Sequence, residues 1–280
     1  MSPETEPVPS GERPPTGYWR LFVGLLLTPV SVAIAARVAP RMLLGENAAN
    51  ATAFAGATLF PILGLALAAT VELRLAFALG AAAIAATLLL MLAALSPSVI
   101  AMALLVDSAL VCLAWALGCT LGRRVQHAAH LLPACVVAAS ADLVSLLSPE
   151  GPSHAIAQSD RALSVLATAF PVPGSLAIAP ALGVGDLLFM ALALGVARAH
   201  QLPYVRCVIA CVSGTALAGV AAAWSGLPVP ALVPIAALLV LAMPEIRKLR
   251  RNDRSAAHWS MLIASSVALV ALARTLLSRL

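Results

Sequence analysis

Residues Leu131–Leu147 read LLPACVVAASADLVSLL, and residues Gly183–Phe189 read GVGDLLF. Each would pass as part of a membrane-spanning helix but for one carboxylate, Asp142 in the first and Asp186 in the second. A carboxylate near the bilayer centre costs roughly 2.5–3.5 kcal/mol on insertion scales. Two such groups in one chain are therefore expected to be present for their chemistry. Carboxylates brought close together in a low-dielectric site do not both ionise readily and tend to share a proton. That is the working state of an aspartic protease.

The surrounding composition sets the class. The chain has 280 residues, of which 61% are hydrophobic and only 10% charged, with a mean hydropathy of +0.99. Soluble domains carry about 25% charged residues, so this composition implies an all-α, polytopic membrane bundle. Aromatics are scarce at 4%, and the abundance of Ala and Gly predicts closely approaching helices with small-residue seams. With roughly 17–25 apolar residues per crossing, about nine transmembrane helices are expected. They fall near 20–38, 51–71, 75–95, 98–121, 129–148, 180–199, 205–225, 229–246 and 257–277.

Residues 1–17 are rich in Pro and polar residues and read as a disordered tail. They lack the basic start and short apolar core of a signal peptide, so the first span is expected to remain as a helix. Residues 18–121 form an N-terminal four-helix region, and 122–246 a core-like region with both aspartates. Residues 247–280 supply a basic loop and a last helix. The second and third spans are joined by only Glu72-Leu73-Arg74, a tight hairpin. The longest break, Ser148 to Pro180, joins the two Asp-bearing segments. It opens on the helix stop Pro149-Glu150-Gly151-Pro152. Within it, Ala162–Phe170 reads as either an interfacial helix or an extended piece.

Basic residues decide the expected orientation. Arg13, Arg20, Arg74, Arg123, Arg124, Arg198, Arg206, Arg247, Lys248, Arg250, Arg251 and Arg254 fall on one side by parity. The other side receives Arg37, Arg41, Arg161, Arg274 and Arg279. The positive-inside rule then predicts a cytoplasmic N-terminus and an outward-facing 149–179 loop. The net charge of +5 lies at helix ends, so it speaks for orientation in a lipid bilayer and against nucleic-acid binding.

Three motifs stand in order along the chain. Asp142 is followed by Leu143-Val144 and the Pro-x-Gly-Pro stop; Asp186 closes Gly183-Val184-Gly185 and precedes Leu187-Leu188-Phe189; Pro230-Ala231-Leu232 opens a later span. This set resembles the presenilin and signal peptide peptidase family of intramembrane aspartyl proteases, over about residues 123–240. The resemblance implies a presenilin-like bundle in which Asp142 and Asp186 activate a water. Gly183 and Gly185 would admit substrate backbone, and Pro230, Ala231 and Leu232 would form a non-helical wall of the active site. It also implies a single-span membrane protein or signal peptide as substrate, and no metal or organic cofactor.

The chain departs from the family in three places. Ala141 stands where the family usually has Tyr. Four spans rather than five precede Asp142, and one follows Pro230-Ala231-Leu232. The orientation matches signal peptide peptidases rather than presenilins.

Other readings attach to the same residues. Intramembrane acids also carry protons in ion-coupled transporters, although no repeated half with matching broken helices is visible. A catalytically inactive protease fold is the other alternative. Prepilin-type peptidases share Gly-x-Gly-Asp but normally run on to a lysine, whereas here Leu187-Leu188-Phe189 follows, and they do not account for Pro230-Ala231-Leu232. Asp107, in Val106-Asp107-Ser108, has no motif around it and reads as structural or ancillary. Cys112, Cys119, Cys135, Cys207 and Cys211 read as small packing residues. His127 and His130 have metal-like spacing without an acidic or thiolate partner.

Overall fold

In lipid every backbone polar group must be satisfied within the chain, and a helix does this segment by segment. The computed structural model describes residues 18–42, 44–71, 75–95, 99–148, 151–175, 177–225, 229–248 and 254–277. The tail 1–17, the Glu72-Leu73-Arg74 link, Pro149, Glu150, Pro228, Arg250, Arg251 and Arg279 lie outside the described residues.

The first four apolar runs give α1 (Tyr18–Val38), α2 (Glu46–Ala68), α3 (Leu75–Leu95) and α4 (Val99–Ala114). A π-helical turn, Trp115–Cys119, continues α4 into α5 (Thr120–Arg124). Then come α6 (Leu131–Leu147), the short α7 (Pro152–Ala157) and α8 (Asp160–Leu166), and a strand pair, β1 (Ala167–Pro171) and β2 (Ile178–Gly183). The chain ends in α9 (Val184–Ala199), α10 (Tyr204–Ser225), α11 (Leu232–Ala242) and α12 (Arg254–Leu277). Among the described residues, seven helical runs are long and apolar enough to cross a membrane. A multi-pass helical membrane protein is therefore supported.

Two of the nine expected spans come out short. The 180–199 region spends its first residues on β2, leaving α9 with 16 residues. The 229–246 region gives only the 11 residues of α11 and then a 3-10 turn, Pro244–Arg247. At 1.5 Å per residue these helices reach roughly 24 and 17 Å, short of a hydrocarbon core of about 30 Å. Non-helical backbone at membrane depth is tolerated only where it is buried in protein or lines a cavity. Here it adjoins both aspartates.

The all-α bundle carries one extended element. Residues 162–170 are helical to Leu166 and extended from Ala167, and β1 pairs with β2 as an antiparallel hairpin. The pairs Thr168↔Leu182 and Ala169↔Pro180 leave Ala181 as the extra residue of a bulge. The turn between the strands uses Gly174 at φ +79°, and Gly174 N–H donates to Ala39 O at 2.7 Å.

Small residues set the helix spacing, as the composition implied. A Cβ on Gly118 would lie 2.6 Å from Leu188 O, and one on Gly122 would lie 2.2 Å from Leu192 O. The α4–α5 run therefore meets α9 backbone to backbone. Polar ties hold one end of the bundle: Trp115 Nε1–H donates to Ala68 O at 3.0 Å, Arg123 to Ala69 O and Val71 O at 2.7 and 2.6 Å. At the opposite end the hairpin turn meets Ala39, and Arg161 Nε–H donates to Ala93 O at 3.2 Å. These two groupings agree with the alternation of helix ends used to count charges.

Candidate active site

Asp142 lies in the last third of α6 and Asp186 at the third residue of α9, so both sit toward the hairpin end of the bundle. Each carboxylate closes the start of a helix. The first four N–H groups of a helix have no partner within it, and Ala231, the residue capping α11, has no side chain able to supply one. Asp142 does so from another helix: Leu232 N–H donates to its Oδ2 at 3.2 Å. Asp186 reaches back along its own chain and accepts from Gly183 N–H at 3.2 Å, the backward half of a capping box. The two carboxylates lie near enough to act on each other electrostatically. Both side chains are half-buried.

The structure thus brings Asp142, Asp186, Gly183, Gly185, Pro230, Ala231 and Leu232 into one region. Pro230 and Ala231 are non-helical and half-buried ahead of α11, whereas Leu232, expected to be non-helical with them, is the first residue of that helix and is buried. Gly183 is extended, at φ −72° and ψ 158°, a conformation open to any residue, and marks the change from strand to helix. Gly185 is exposed, and a Cβ there would meet nothing within 4 Å. Internal packing therefore does not require glycine at 185; the space beside it is open.

Gly151 is required, because a Cβ there would come within 1.9 Å of Ser145 O, one turn past Asp142. Pro152 starts α7, and Ser153 N–H donates to Ser145 Oγ at 2.8 Å, folding α7 back onto α6. Ala141, beside Asp142, is exposed and offers no hydroxyl.

The sequence leaves Ala162–Phe170 open between helix and strand and gives Asp107 a structural or ancillary place without naming its partner. The hairpin had a signal: Pro173-Gly174 between two apolar runs is turn chemistry. Asp107 is fully buried in α4, and its Oδ1 accepts from Ala169 N–H of β1 at 3.0 Å. Its Oδ2 is buried without a hydrogen-bond partner among the described residues. Thr168 Oγ1–H donates to Ala57 O of α2 at 2.8 Å. These contacts close β1, which is buried throughout. In β2 only Leu182 is buried, and Pro180 is exposed. A cavity of about 360 Å³ opens beside Ala169, Ile178 and Pro180, between the hairpin and α3, α4 and α8.

The five cysteines are free thiols, four of them buried. The His127 and His130 rings meet edge to face at 5.5 Å. No group of three or more His, Cys, Asp or Glu among the described residues is arranged to hold a metal ion. In comparisons with known proteins, no family model, curated protein or solved structure matches the chain.

Proposed function

We propose that the chain is an intramembrane aspartyl endopeptidase, of the presenilin and signal peptide peptidase kind, with Asp142 and Asp186 as its catalytic pair. The observation that carries this reading is the hydrogen bond from Leu232 N–H to Asp142. It draws Pro230-Ala231-Leu232 onto an aspartate near enough to Asp186 to act on it electrostatically, an association that composition alone does not require.

In this reading a water sits between the carboxylates. One carboxylate takes a proton from the water as its oxygen attacks the scissile carbonyl carbon. The other, a carboxylic acid, gives its proton to the carbonyl oxygen. The resulting gem-diol collapses as a proton passes to the amide nitrogen and the C–N bond breaks. The pair titrates as a unit, so acid and base belong to the dyad rather than to one residue. A transmembrane helix hides its peptide bonds and must unwind to be cut. The half-buried strand β2 runs directly into Gly183–Asp186, and an extended segment added along it would satisfy the unwound backbone. The substrate is then a single-span membrane protein or signal peptide.

Cleavage of a model single-span protein by wild type, Asp142→Asn and Asp186→Asn tests the reading. Each substitution keeps a carbonyl oxygen for the capping bond and removes the acid, and should lower cleavage by roughly 100-fold or more. Persistent cleavage in either variant sinks the assignment. Proton-coupled flux in liposomes that disappears in the same variants, without cleavage by wild type, would replace the protease by a transporter. Reporter fusions in the 149–179 loop should read as non-cytoplasmic by the charge bias; a cytoplasmic signal reverses the orientation.

A further inference from the structure

Asp107 is the one fully buried carboxyl in the described residues, and the dyad chemistry does not use it. Its surroundings are apolar: Val106, Leu110 and Val111 on its own helix are fully or almost fully buried. It makes one hydrogen bond, to the Ala169 N–H, and its second oxygen has no partner among the described residues. That bond falls at a particular place. Ala169 opposes Pro180 next to the bulge at Ala181, the point where the register of the hairpin shifts. From there β2 runs through Leu182 to Gly183, whose N–H is held by Asp186.

We propose that Asp107 is a positioning residue that fixes the register of the β1–β2 hairpin and, through β2, the peptide bond presented to the aspartate pair. This rests on the protease reading for its consequence, but not for its geometry. A strand pair slipped by one residue turns every side chain to the other face. Ala169 and Pro180 exchange no ladder hydrogen bond, since the Ala169 N–H goes to Asp107 and Pro180 has no N–H, so the pair beside the bulge does not hold its own register. Asp107 takes the N–H that β1 turns away from β2 and anchors it to α4. Thr168, bonded to Ala57 O of α2, anchors the neighbouring residue to a second helix. β1 is thus locked to the bundle by side-chain hydrogen bonds to two helices, while β2 is mostly half-buried, with Pro180 exposed.

The test compares full-length wild type, Asp107→Asn and Asp107→Ala in detergent, with two readouts. Hydrogen exchange over 167–171 and 178–183 reports the hairpin without any need for activity. Mass spectrometry of the fragments of a single-span substrate reports which bonds are cut. Asparagine keeps a carbonyl acceptor, so Asp107→Asn should match wild type in both. In Asp107→Ala the Ala169 amide should exchange roughly tenfold faster, the effect of losing one hydrogen bond. The cut sites should spread to neighbouring bonds, while exchange in α9 and α10 stays unchanged.

If Asp107→Ala does not fold, Asp107→Ser replaces it, its hydroxyl being one bond short of the Asp107 carboxylate oxygen. Wild-type exchange and an unchanged cut pattern in the Ala or Ser variant would overturn the proposal. So would an asparagine variant as disturbed as the alanine one, since charge rather than the hydrogen bond would then matter. A wild-type protein that cuts nothing, yet shows the exchange difference, would remove the protease reading and leave the anchoring of the hairpin standing.

Discussion

The two aspartates stand on helices of opposite character. In α9 the residues after Asp186 are walled in: Leu187, Met190, Ala191, Ala193, Leu194 and Val196 are fully buried, and Gly118 and Gly122 hold the neighbouring helix against its backbone. In α6 only Leu131 and Cys135 are buried, both well before Asp142. That helix rests on α11 and α12 and only touches α9. One carboxylate thus stands on the buried centre of the bundle, and the other on a helix with little burial that is held mainly by α11 and α12. Asp142 is tied down at its tip, by the Leu232 N–H, rather than along its helix. For the proposed protease, this asymmetry makes α6 the wall expected to shift when a substrate helix enters.

The sharpest way to break the comparison is to loosen the buried side. Gly122→Val places a Cβ 2.2 Å from Leu192 O and 2.9 Å from Val196 N. Backbone cannot yield as a side-chain tip can, so this overpacking should cost about 3 kcal/mol or more, read as a large fall in the thermal midpoint in detergent. An unchanged midpoint would mean that α9 is not held as described.

The second test addresses the less buried side. Ending the chain after residue 253 removes α12, a main support of α6. Exchange across α6 should rise and cleavage fall, while α9 keeps its protection. Equal loosening of both helices would erase the contrast. The mildest test separates function from stability at the junction itself. Gly185→Ala meets open space, so stability should stay within about 0.5 kcal/mol. Cleavage should still fall, because the added methyl stands where a substrate backbone would approach. Unaltered cleavage would make the glycine dispensable.

Much of this was legible in the sequence because lipid makes its demands residue by residue. The long helices follow from unbroken apolar runs, and the two aspartates announce themselves by their cost in such runs. The non-helical Pro230-Ala231 approach to α11 also follows from local chemistry. The expected spans at 180–199 and 229–246 came out short for a reason that local hydropathy does not carry. An apolar residue contributes the same hydropathy in a strand, a turn or a helix. Residues 178–183, Ile-Ala-Pro-Ala-Leu-Gly, are as apolar as a span. They are extended because Ala167–Pro171 lies alongside to pair with them.

Asp107 shows the same division. Its cost in the membrane could be read from the chain, but its partner is the Ala169 amide, far along the sequence. By itself the sequence determined a polytopic helical membrane protein, the identity of its costly acids and the order of its three motifs, because composition and spacing act locally. Only the tertiary structure decided that Asp142 caps α11, that Asp186 turns back on Gly183, and that Asp107 holds a buried strand. Those outcomes depend on which backbone donors packing leaves without a partner, and a donor's partner is fixed by proximity in space rather than by position in the chain.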